Sequence, residues 1–126
     1  MAAIHSLDAG FYRVPLPVVL SDSTHGSIRA FELVTATVRD ADGAEGIGYT
    51  YTVGRNGGAI HDSLAREIAE IVRGADAERI EHLWQRLWWE LHYGGCGGPT
   101  VLARSAAIRS TSWRRRSGRP ISIPTA

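Results

Sequence analysis

The hydrophobic period of this chain changes once, across residues 53–58, and that change decides what it can fold into. Before it, the period is two. From Phe31 to Arg39, residues Phe31, Leu33, Thr35 and Thr37 fall on one face, and Glu32, Val34, Ala36 and Val38 on the other. After it, apolar residues recur at helical spacing: Ile60, Leu64, Ile68, Ile71 and Val72, then Ile80, Leu83, Trp84, Leu87, Trp88 and Leu91. The second set is the strongest helical signal in the chain. A lone amphipathic helix is marginal in water, so this one needs a sheet or another helix against it. Strands followed by helices make an α+β domain.

The strands read as a three-stranded antiparallel meander followed by two to three α-helices. The first strand is expected over Ile4–Val14, interrupted by Pro15 and Pro17, with a long loop from Pro15 to Gly26. The second is Phe31–Arg39. Asp40-Ala41-Asp42-Gly43 makes a hairpin turn in which Gly43 can take a positive φ, and Ala44–Thr52 returns as the third strand. Short connections favour antiparallel pairing. Gly74 is suited to follow the C-terminus of the first helix. Asp76 is expected to cap the second, with Glu78 in its first turn. Thr100 is placed to cap a short third helix from Val101 to about Ile108. The off-face Trp89 marks a second interface.

The 126 residues fit one domain, and 44% hydrophobic content argues against disorder. With a single cysteine, Cys96, a disulfide scaffold is excluded. MAAIHSLDAG lacks the basic and apolar regions of a signal peptide, and no apolar run is long enough to span a membrane, so the expected location is the cytoplasm. The net charge of +1 conceals an asymmetry. Residues 1–103 hold all 13 acidic residues and 8 of the 14 basic ones, a formal −5; residues 104–126 hold the other 6 and no acid. Every basic residue is Arg.

The familiar catalytic motifs fail. Without Lys there is no P-loop, and Gly46, Gly48 and Gly54 do not form a dinucleotide fingerprint. His5, His25, His61, His82 and His92 lack metal-ligand spacing. Asp22-Ser23-Thr24-His25 holds the residue types of a hydrolase triad, but neighbours in sequence align poorly for that chemistry. A polar loop in which Asp22 makes an Asx turn is the better reading. No His is placed to activate Cys96. The Arg-rich segment from Arg104 to Arg119 offers phosphate contacts, yet it sits on no recognisable nucleic-acid-reading element, so nucleic acid is disfavoured as a partner.

The words Asp22-Ser-Thr-His-Gly26, Phe31-Glu-Leu-Val34, Asp42-Gly43, Gly46-Ile-Gly-Tyr-Thr-Tyr-Thr-Val-Gly54, Ile80-Glu-His-Leu-Trp84 and Gly94-Gly-Cys-Gly-Gly98 stand in a characteristic order. Together they resemble the N-terminal capping domain of the mandelate racemase/muconate lactonizing enzyme group of the enolase superfamily, with a flavour of its acid-sugar dehydratases. The resemblance covers Ile4 to Ala106. It implies a three-stranded sheet with a few helices, followed in the complete enzyme by a modified TIM barrel. There a Lys or His base removes the proton next to a substrate carboxylate, and Mg²⁺ stabilises the enediolate. The capping domain supplies specificity and closure through two loops over the barrel mouth.

Carried onto this chain, the loops are Leu16–Ser27 and Tyr51–Gly58, and Asp22, His25, Tyr51 and Arg55 are the candidate contacts to substrate hydroxyls or carboxylates. No catalytic residue, metal ligand or cofactor is expected in the chain itself. Mg²⁺ and a small acid-sugar or hydroxy-acid substrate enter only with a barrel, and a homo-oligomer through the uncovered surface is a further expectation. Residues 1–106 are read as the capping domain and 107–126 as a divergent tail, poorly ordered over 109–126. Family members continue after the Ala103-Arg-Ser-Ala106 equivalent with acidic residues that are absent here. A reading-frame shift near Ala106–Ile108, or a degraded gene fragment, is the expected origin of that departure. Two other readings stay open: half of a split enzyme docking on a separate barrel, and an adaptor or nucleic-acid-binding module using the Arg-rich tail.

Overall fold

The computed structural model describes residues 2–92, 112–114 and 120–121. Its frame is an antiparallel sheet. β1 (Ile4–Asp22) pairs with β2 (Gly26–Asp40), and β2 with β3 (Glu45–Thr52). Two short strands, β4 (Ser112–Arg114) and β5 (Pro120–Ile121), extend it beyond β3 in the order β1-β2-β3-β4-β5. The expected meander is therefore present. Within the segment expected to be poorly ordered, these two stretches are strand; the rest of it, with the expected third helix and Cys96, lies outside the described residues.

The alternation read from the sequence sets the two faces of the sheet. Val34, Ala36 and Val38 are buried, and with Ile4 and Leu7 of β1 they meet the helices. The opposite face carries Tyr12, Ile47, Tyr49 and Tyr51, all exposed. There Arg39 bonds Asp8 of β1 through Nη1 (2.6 Å) and Glu45 of β3 through Nε (2.8 Å). This half-exposed bridge pins three strands in register while adding little stability.

The long loop expected after Val14 is corrected. β1 runs on to Asp22, and only Ser23–His25 form the turn. The prolines do leave a mark. Pairing skips from Pro15↔Ala30 to Leu20↔Ile28, so Leu16, Pro17, Val18 and Val19 bulge opposite Arg29 alone. β1 is an edge strand, where a missing N–H costs no ladder bond on the open side.

The helical layer begins with α1 (Gly57–Ser63), passes through a π-helical turn over Leu64–Ile68, and ends in α2 (Ala69–Val72). Ile60, Leu64, Ile68 and Val72 are all buried, and each lies four positions after the one before. In a regular α-helix that spacing drifts by about 40° per step. The wider π turn rotates less per residue and brings the stripe back over the sheet. Gly74 has φ 76° and donates its N–H to Ile4 O (2.8 Å), and Ile4 N–H donates to Ala75 O (2.8 Å).

α3 (Ile80–Glu90) starts later than expected. Asp76 does not cap it, because its Oδ1 accepts the Glu78 N–H at 3.0 Å and its carbonyl accepts the Arg79 N–H at 3.2 Å, closing a turn instead. Leu83, Leu87 and Leu91 are buried, Trp84 stacks on Trp88 with ring centroids 5.8 Å apart, and Trp89 is exposed. Among the described residues no helix is long and apolar enough to cross a membrane.

Candidate functional site

The polar candidates gather at one end of the sheet, in two groups. β2 begins at Gly26 but meets the end of β3 only at the Glu32↔Thr52 pair. The β1–β2 hairpin therefore stands roughly 20 Å beyond the end of β3, at about 3.3 Å per residue. Asp22 and His25 occupy its tip. Tyr51 is the penultimate residue of β3, and Arg55 sits in the following connection, Val53–Asn56.

At the tip, one carboxylate organises the turn. Asp22 Oδ1 accepts the Thr24 N–H at 2.8 Å and also the His25 N–H, the Asx turn anticipated from the sequence. His25 Nδ1 lies 2.9 Å from Asp22 Oδ2. An ionised carboxylate only accepts, so Nδ1 carries the proton and Nε2 is turned outward. The backbone N–H of His25, and then its ring, hold the Asp22 carboxyl below its ordinary value of 3.8. A depressed folded value means that the bonds are in place above the unfolded value and are lost as pH falls through the folded one. The Thr24 and His25 amide resonances should accordingly titrate together with a midpoint below 3.8. They should lose that transition in Asp22→Asn, and a midpoint at or above the ordinary value would contradict the arrangement.

The second group is built on β3. Tyr51 meets Phe31 edge-on, with ring centroids 5.3 Å apart, and its side chain is otherwise open to solvent. Arg55 is exposed between two residues of positive φ, Gly54 (77°) and Asn56 (68°).

Sequence reasoning missed Glu32, which lies under this loop. Its Oε2 accepts from Thr52 Oγ1 (2.8 Å) and from the Gly57 N–H (3.0 Å). The available signal was a carboxylate on the face otherwise made by Val34, Ala36 and Val38, where a charge needs donors. Among the described residues no group of three or more His, Cys, Asp or Glu side chains is arranged to hold a metal ion, so these residues do not fit Mg²⁺ by themselves.

Residues 11–114 match the model of the mandelate racemase/muconate lactonizing enzyme N-terminal domain, a match that continues past Ala106. The chain is 48% identical over 103 residues to a 3,6-anhydro-alpha-L-galactonate cycloisomerase of Streptomyces coelicolor, covering 82% of this chain and 28% of that one. It is 32% identical over 92 residues to the L-talarate/galactarate dehydratase of Salmonella typhimurium, covering 71% and 23%. The fold superimposes on a Streptomyces coelicolor A3(2) racemase solved with bound magnesium, with a TM-score of 0.76 and 44% identity over 83% of this chain and 30% of that one. The chain thus spans under a third of the length of these relatives. By the family match and the sheet-and-helix architecture together, it belongs to the mandelate racemase/muconate lactonizing enzyme family, as an N-terminal domain.

Proposed function

We propose that this chain is the capping domain of a magnesium-dependent acid-sugar cycloisomerase or dehydratase of the cytoplasm, and that it selects the substrate without carrying the proton-abstracting groups. The observation that carries this reading is that two polar groups, Asp22–His25 and Tyr51–Arg55, both stand at the same end of the sheet. The outward Nε2 of His25 can accept from a hydroxyl, and the Arg55 guanidinium can take a carboxylate in bidentate fashion. Loops of this kind exclude water from a reaction centre held by the rest of the enzyme. The acid-sugar names of the two curated relatives support the substrate class.

The test is a chimera in which residues 4–106 replace the matching segment of the Streptomyces coelicolor cycloisomerase. Turnover of 3,6-anhydro-alpha-L-galactonate with Mg²⁺ is expected from the chimera and none from the isolated chain. Arg55→Ala and His25→Ala should each raise KM about tenfold, the size of one lost charge-assisted hydrogen bond, with a smaller change in kcat. Turnover by the isolated chain, or a folded chimera in which neither substitution alters KM, would overturn the reading.

A further inference from the structure

We infer that Glu32 is a positioning residue, whose half-buried carboxylate clamps both ends of the Val53–Asn56 connection and so sets the pose of Arg55. Thr52 is the last residue of β3 and Gly57 the first of α1. A single oxygen, Oε2 of Glu32, accepts a hydrogen bond from each, at 2.8 and 3.0 Å. The two ends of the loop are thus fixed to one atom on a third element. That element is the middle of β2, an inner strand paired with β1 on one side and β3 on the other.

Two further features fit the clamp. Gly57 is buried, and a Cβ placed on it would lie 2.5 Å from Glu32 Oε2 and 2.6 Å from Cε2 of Phe11. Glycine lets the backbone approach the carboxylate closely enough to donate. The loop itself is conformationally demanding. Asn56 takes a positive φ, which a non-glycine residue seldom adopts and which persists where its surroundings hold it. Within the loop, Asn56 O accepts the Ile60 N–H at 3.1 Å, which ties its far end to α1 but leaves its near end to Glu32 and Thr52.

The value of this clamp for substrate selection rests on the capping reading above; the clamp itself does not. Limited trypsin digestion of the full chain separates the two, because Arg55 is a cleavage site inside the clamped loop. Arg73, exposed before Gly74, is a reference site outside it. Cleavage at a structured loop tracks its local opening. Glu32→Ala is expected to speed cleavage after Arg55 about tenfold relative to Arg73, the effect of losing hydrogen bonds to a charged acceptor. Glu32→Gln keeps a carbonyl oxygen that can accept from both donors and should restore most of the protection. Thr52→Val removes one donor without changing size and should fall between, and it decides the matter if Glu32→Ala does not fold. An unchanged Arg55-to-Arg73 ratio, or Glu32→Gln cleaving as fast as Glu32→Ala, would overturn the inference. The chimera kinetics test the capping reading separately.

Discussion

Replacing Leu64 by Ala is expected to lower the unfolding free energy by about 2–5 kcal/mol, the range for large-to-small substitutions in a packed core. Leu64 has no exposed surface, and it sits in the π turn at the centre of the stripe formed by Ile60, Ile68 and Val72. The stripe faces Val34 and Ala36 across the layer, so the cavity would be lined on both sides by side chains already packed in one cluster. A domain of this size has only about 5–15 kcal/mol in hand, and the loss is a large share of it. Urea denaturation of the chain should give a clearly lower midpoint with an unchanged slope. Leu64→Met, which nearly conserves volume, should cost less than about 1.5 kcal/mol. A Leu64→Ala variant that loses no more than the Met variant would mean that the π turn does not centre the core.

Asp40→Ala should cost about 1–2 kcal/mol, the loss of two part-buried hydrogen bonds to its carboxylate. Asp40 ends β2 and is 9% exposed. Its Oδ1 accepts the Asp42 N–H at 3.0 Å and the Ala44 N–H at 2.7 Å, while its own N–H donates to Ala44 O at 3.0 Å. Gly43 completes the three-residue loop with φ 82°, the geometry expected of such a hairpin. Removing the carboxylate strands two backbone donors at the turn that sets the β2–β3 register. Asp40→Asn retains an oxygen in the same place and should be close to neutral by the same denaturation measurement. Equal losses in the two variants would shift the cause from hydrogen bonding to charge.

The sheet was legible wherever one face had to be buried. Alternation around Val34, Ala36 and Val38 leaves a single register, and the Asp40–Gly43 turn carries its own chemistry. α3 was legible in its buried stripe but not in its start. Asp76 has the side chain of a cap, and only the tertiary bonds between residues 74–77 and the N-terminus, including Ala77 N–H to Ala2 O at 2.9 Å, commit it to a turn. The π turn had one trace in the sequence, the repeated spacing of four, which a helical reading absorbs without notice. Among the site residues, the Asp22 turn followed from local chemistry. Glu32 did not, because its two donors come from residues 20 and 25 positions away.

Pro15 and Pro17 have a consequence for the molecule in company. β1 forms one margin of the sheet, and Val18, Val19 and Leu20 beside the prolines are about half exposed or more. A smooth, apolar margin of that length is a template on which a second chain can add a strand, and then a third. Two residues without N–H groups and a four-residue bulge break the template where it is stickiest. The bulge that makes the β1–β2 hairpin irregular thus also works against edge-to-edge growth.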